Sequence, residues 1–299
     1  MNYLINGVRG FCMALADSVP GVSGGTIAFI LGFYDQFINS LNNLVFGNKK
    51  EKKEALFFLL KLGIGWVIGM VLAILVLTSL FANHIYEVSS VFIGFIIFSL
   101  PLIISEEKGV LKGKYKNLLF LILGIVIVSL ITYFNPMNGS ENVVDITNLS
   151  FGLILYVFVA AMIAISAMVL PGISGSTLLL IFGLYIPITT AIKEFLHLNF
   201  GYFPILVVFG LGVLTGIAVV IKGIKVALSK YRSQTVYLIL GLMLGSLYAI
   251  VMGPTTLEVY HEPMTFQTFS IGFFILGGLI IGLLQWLKGF LVKKINKNF

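Results

Sequence analysis

Two fifteen-residue stretches hold the residue types best suited to chemistry. Pro20-Gly21-Val22-Ser23-Gly24-Gly25-Thr26 opens the first and Pro171-Gly172-Ile173-Ser174-Gly175-Ser176-Thr177 the second. Eight of the fifteen aligned positions, 20–34 against 171–185, are identical. Pro20 and Pro171 disfavour helix at the preceding residue and set a break. Gly21, Gly24, Gly25, Gly172 and Gly175 allow backbone approach that a Cβ would block. Ser23 and Ser174 suit the cap of a following helix, whose first N–H groups have no partner inside it. With the hydroxyls of Ser23, Thr26, Ser174, Ser176 and Thr177, those groups make an anion site without a formal charge, suited to a phosphate or a carboxylate. The same residues also describe a helix break held between neighbours, with glycine serving close packing alone. Two related copies favour the anion reading.

Arg9 and Asp17 are the only charges before the first motif. Eight residues, roughly two helical turns, separate them, so both can face one side. Charge at membrane depth is costly and usually functional. Arg9 can meet a phosphate with paired hydrogen bonds, or its charge can reach the headgroups from a helix end. Asp17, beside the motif, can take up a proton or accept hydrogen bonds at the helix tip. Asp35 and Lys61 read as interfacial anchors. Met168 stands where the first copy has Asp17, so the two motifs differ chemically.

The elements that position these residues must lie in a membrane. The 299 residues include 19 basic and 12 acidic side chains, 59% are hydrophobic, and the mean hydropathy is +1.06. Soluble domains are about 45–50% apolar and about 25% charged, so a soluble enzyme, a nucleic-acid binder and a disordered chain are excluded. The +7 net charge reads as loops facing anionic lipid rather than nucleic acid. A single cysteine, Cys12, excludes an intrachain disulfide framework. The first residues lack the basic and apolar regions of a signal peptide, so no removable leader is expected.

Apolar stretches able to cross a bilayer run over 57–81, 91–105, 118–134, 203–221, 235–252 and 269–287. The joining segments alternate in charge. Segments 47–56, 106–117, 222–234 and the tail after 287 are basic; 82–90, 135–149 and 253–268 have no Lys or Arg. Basic loops belong in the cytoplasm, so both termini are expected there.

The repeat continues beyond the motifs. Gly63, Gly65 and Gly69 match Gly210, Gly212 and Gly216, and Ser99-Leu100 matches Ser246-Leu247. The fold expected is an all-α polytopic membrane protein built as a tandem repeat, 1–140 and 145–299. Each half has a broken helix pair, with tips at 17–26 and 168–177, followed by three spans. An odd number of spans inverts the second half, the plan of many secondary transporters. The broken elements are expected to be re-entrant rather than full hairpins, since the tips carry little charge and irregular backbone at depth must be buried or line a wet cavity.

Other signals fail. Gly-x-Ser-Gly at 21–24 and 172–175 resembles the nucleophile motif of rhomboid proteases, but that chemistry needs a histidine base, and His84, His197 and His261 fall in segments read as external loops. No P-loop occurs and no His, Cys and acid cluster suggests a metal. The glycine stretches at 63–69 and 210–216 read as helix contacts, not nucleotide sites. No cofactor and no enzymatic activity are expected.

On the residues 16–26, Ala-Asp-Ser-Val-Pro-Gly-Val-Ser-Gly-Gly-Thr, and 170–176, Leu-Pro-Gly-Ile-Ser-Gly-Ser, the chain resembles the bacterial polyprenyl-phosphate transporter family across essentially its whole length. The resemblance implies return of undecaprenyl phosphate, the lipid carrier of cell-wall synthesis, from the outer to the inner leaflet of the cytoplasmic membrane. The phosphate is then expected at both tips, Ser23, Gly24, Gly25, Thr26, Ser174, Gly175, Ser176 and Thr177, and at Arg9, with the prenyl tail in lipid or a lateral groove. An ion gradient, of protons or sodium, is expected to drive it, with Asp17 the candidate for proton coupling. The expected partners are the lipid substrate, membrane lipids and that ion, with no nucleic acid. The alternatives are a transporter or channel for a small soluble anion, a membrane enzyme acting on lipid phosphate, and a non-transporting scaffold.

Overall fold

The computed structural model describes residues 2–17, 23–134, 150–256 and 261–296. Among these, every regular element is a helix. The chain opens with α1 (Asn2–Asp17), the short α2 (Gly24–Ile30) and α3 (Tyr34–Phe46). A 58-residue stretch, α4 (Lys49–Glu106), follows as two helices joined by a kink at His84, and then α5 (Lys108–Leu111) and α6 (Leu118–Tyr133). The same succession of long, short and amphipathic helices returns as α7 (Phe151–Val169), α8 (Gly175–Ile181) and α9 (Tyr185–Leu196). Three long helices complete it: α10 (Phe203–Lys230), α11 (Arg232–Met252) and α12 (Ile271–Asn296).

Local chemistry sets the ends that matter. α2 stops at Gly32, whose φ of 69° is open to glycine at no steric cost. There the Gly32 N–H donates to the Phe29 carbonyl and the Phe33 N–H to that of Ala28, pairing carbonyls the helix leaves free. α8 ends identically at Gly183, φ 64°, with Leu184 N–H donating to Leu179. α4 opens with a reciprocal cap. The Glu51 N–H donates to Asn48 Oδ1 at 3.0 Å and the Asn48 N–H to Glu51 Oε2 at 2.8 Å.

The structure corrects one expectation about α4. Segment 82–90, read as a loop, is the junction of two helices: His84, at φ −138° and ψ 35°, leaves helical geometry, and the residues on either side of it are helical. The segment has neither Gly nor Pro to stop a helix. His84 accordingly sits at the kink between two helices rather than in a free loop.

Six helical stretches among the described residues are long and apolar enough to cross a membrane: Lys49–Ala73, His84–Glu106, Tyr115–Tyr133, Phe151–Val169, Phe200–Lys230 and Arg232–Thr255. The chain is a multi-pass membrane protein. Side chains such as Ile64, Leu119, Leu214 and Leu279 stand exposed on its outside, a surface that suits acyl chains and not water. The last of the six spans is central: 61% of its apolar window is buried, against at most 39% for the others.

Close helix pairs hold the bundle. α1 lies on α4, α7 on α10, α6 on α11 and α4 on α12. The glycine stretches make these contacts. A Cβ at Gly65 would strike the Gly7 backbone, and one at Gly212 the Phe158 carbonyl. Where lipid outside is as apolar as the interface, such close backbone approach is what favours association.

Candidate functional site: two interlocked tips

The first tip is built where α1 ends and α2 begins. Ser23 is the N-cap of α2, extended at φ −132° and ψ 141°, and its Oγ accepts the Gly25 N–H at 3.1 Å. Asp17, the last residue of α1, covers the adjoining amide: its Oδ1 accepts the Gly24 N–H at 2.6 Å. The other oxygen, Oδ2, accepts the indole N–H of Trp66 on α4 at 2.9 Å. A Cβ on Gly24 would lie 2.7 Å from that carboxylate, so glycine lets it close on the helix start. The acceptor role read for Asp17 at the tip is therefore realised, and the acceptor at the start of α2 is the protein's own carboxyl group.

The second tip repeats the shape with different chemistry. Ser174 is the N-cap of α8 but makes no side-chain cap bond. A Cβ on Gly175 would lie 3.1 Å from Met168 Cβ and 3.1 Å from the Ala164 carbonyl. Met168 thus stands against Gly175 as Asp17 stands against Gly24, with a thioether in place of a carboxylate. Gly172 turns the chain at φ 89°, and its Cβ would meet the Leu242 backbone at 2.5 Å. Both the conformation and the close approach require glycine there.

The tips meet each other. Ser23 Oγ lies 3.3 Å from the carbonyls of both Met168 and Leu170, so its single proton is shared between them. Tyr34 Oη donates to the Val169 carbonyl at 3.1 Å. Those carbonyls lie at the end of α7, where helix geometry supplies no partner. In return the Gly172 N–H donates to Thr26 Oγ1 at 2.8 Å. Ser23, Thr26, Ser174 and Thr177 are all buried, as are Gly24, Gly25, Pro171, Gly172 and Gly175. In this conformation the tip hydroxyls of the first half are spent on the second half. Pro20 and Gly21, read as the structural break, and the side chain of Ser176 lie outside the described residues.

Arg9 is not at the tip. It is half-buried on α1, its Nη1 donates to Asn6 Oδ1 at 3.1 Å, and its guanidinium lies 4.7 Å from the centre of the Phe33 ring. At a rise of about 1.5 Å per residue it sits roughly 12 Å before Asp17 along α1. Lys61 Nζ lies 3.7 Å over the Tyr3 ring. Asp35 is more than an interfacial anchor. Arg232, the first residue of α11, donates from Nη1 to Asp35 Oδ2 at 2.8 Å, and from Nε to Glu107 Oε2 at 3.0 Å, with Nη2 on the other Glu107 oxygen.

Sequence reasoning missed Trp66, Tyr34 and the partners of Arg232. For Trp66 a signal existed. Trp66 aligns with Val213 in the matched glycine stretches, so the donor is present in the half that has Asp17 and absent in the half that has Met168.

A family model described as undecaprenyl phosphate translocase-like matches residues 13–268. A protein of Staphylococcus aureus named polyprenyl-phosphate transporter is 38% identical over 276 residues, 91% of this chain and 94% of the relative. One of Vibrio cholerae with the same name is 32% identical over 257 residues, 83% of this chain and 77% of the relative. No solved structure matches the chain.

Proposed function

This chain belongs to the undecaprenyl phosphate translocase-like family, and we propose that it returns undecaprenyl phosphate from the outer to the inner leaflet of the bacterial cytoplasmic membrane. The observation that carries the reading is the interlock of the two tips. Buried donors from each half are held against the other half, where the described parts of the two tips meet. A phosphate has the acceptors to replace the Met168, Val169 and Leu170 carbonyls and the Thr26 hydroxyl. Exchanging bonds between the tips for bonds to phosphate is then the step that parts them.

On this reading residues 1–140 and 145–299 are inverted repeats, the broken elements are re-entrant, and both termini are cytoplasmic. That plan is supported by the alternation of basic and uncharged segments and by the matched succession α1–α2–α3 and α7–α8–α9. The phosphate meets Ser23, Gly24, Gly25 and Thr26 from one tip and Ser174, Gly175, Ser176 and Thr177 from the other. Arg9 stands on the basic-loop side of the tip and takes the headgroup as it leaves. Asp17 competes with the phosphate for the Gly24 amide. A proton on Asp17 weakens that competition, which couples headgroup entry to a proton gradient. The role is transport, without a chemical step.

The test is flux in reconstituted vesicles. Changing Ser23, Ser174 or Arg9 is expected to slow movement of undecaprenyl phosphate between leaflets. Unchanged movement in all three variants would sink the site assignment.

A further inference from the structure

A cavity of about 540 Å³ lies directly behind the first tip. Its inner wall is the last turns of α1 and the length of α2, including Ala16, next to Asp17, and Ile27, next to Thr26. Its other walls are residues 84–95 of α4 and 273–281 of α12. Apart from Cys12, His84 and Glu87, every lining side chain is aliphatic or aromatic. Water has almost nothing to bond inside it, so the fitting occupant is apolar.

The cavity has a side and an end. On α12, Phe273 and Leu276 form its rim and are exposed, on the same helix as the exposed Ile275, Leu279 and Leu283. That exposed apolar face suits acyl chains rather than water, which makes a lateral opening toward lipid the fitting one. At the end stand His84 and Glu87, 3.3 Å apart through His84 Nδ1 and Glu87 Oε1, both at least partly exposed. They lie on the segment without Lys or Arg. From His84 to Phe95 the wall runs about 16 Å along α4, roughly half of a hydrocarbon core of about 30 Å.

We propose that this cavity holds a stretch of the isoprenoid chain of the transported lipid, alongside the tip that takes its phosphate. The proposal rests on the transport reading above and deepens it. An apolar slot with a lateral door and one polar end suits a chain that must stay out of water while its headgroup crosses. The rings of Phe92, Phe95 and Phe273 and the branched Val88 and Val91 give a broad, irregular lining. Such a lining matches a chain bearing a methyl branch on every unit better than a straight acyl chain. Because α1 and α2 form both the cavity wall and the first tip, a chain in the cavity supports the tip from behind.

Cys12 makes the test direct, as the one cysteine of the sequence lines the cavity. The purified protein in detergent is labelled with N-ethylmaleimide in the presence of undecaprenyl phosphate, undecaprenol, phosphatidylglycerol or inorganic phosphate. Both prenyl compounds are expected to slow labelling of Cys12 about tenfold, and inorganic phosphate not at all. Equal protection by phosphatidylglycerol would overturn the choice of a prenyl chain, and no protection by either prenyl compound would overturn the site. Protection by undecaprenol without any flux of undecaprenyl phosphate would instead leave the cavity assigned and refute the transport reading. A second variant, Leu276→Trp, narrows the rim away from the tip. It is expected to slow flux of undecaprenyl phosphate about tenfold while sparing isopentenyl phosphate; equal flux of both at wild-type rates would contradict the proposal.

Discussion

The Asp17 carboxylate accepts the Gly24 N–H at 2.6 Å, so a side chain from the end of one helix sits on the amide that opens the next. Trp66 holds the second oxygen. Asp17→Asn keeps an acceptor for Gly24 but loses the charge. It is expected to fold, and to transport with a pH dependence flatter than the wild type, whose flux is expected to rise as the pH on the entry side falls. Flux measured across a pH series in vesicles checks this; an unaltered profile removes Asp17 from coupling.

Trp66→Phe removes a donor to a carboxylate and keeps most of the ring. Hydrogen bonds to charged groups contribute about 1.5–3 kcal/mol, and a loss in this range is expected from thermal unfolding in detergent. The paired change Met168→Asp in the second half gains no such donor, since Val213 stands where the first half has Trp66.

Thr26→Val deletes the acceptor of the buried Gly172 N–H. Leaving that donor unpaired is expected to cost about 1–3 kcal/mol, with Thr26→Ser restoring most of it. The melting temperatures of the two variants measure the difference.

Glycine positions separate sharply. Gly172→Ala meets both a positive φ and the Leu242 backbone, whereas a Cβ at Gly210 meets nothing within 4 Å. Gly172→Ala is expected to abolish monodisperse protein and Gly210→Ala to behave as the wild type. Size-exclusion chromatography of the two extracts checks the pair.

Much of this arrangement was legible in the sequence, and the reason for the rest is physical. The tip motif, the helical class and the glycine contacts are local patterns, and local patterns carry their own backbone consequences. Ser23 with Met168 and Leu170, or Thr26 with Gly172, are joined across 145 to 147 residues, and nothing near Ser23 encodes which carbonyl it will meet. Asp35 illustrates the same limit: alone it reads as an interfacial charge, and only folding brings it to Arg232. The bend at His84 was hidden for a different reason. Loop charge bears on which side of the membrane a segment faces, and no residue type in 82–90 marks His84 as the position where the backbone kinks.

The central claim is that a lipid phosphate, not a soluble one, is the cargo. The most direct measurement follows undecaprenyl phosphate and inorganic phosphate together in the same vesicles containing the pure protein. The account predicts that the lipid equilibrates between leaflets faster than in protein-free vesicles while inorganic phosphate stays where it was placed. Movement of inorganic phosphate with no acceleration of the lipid would contradict it.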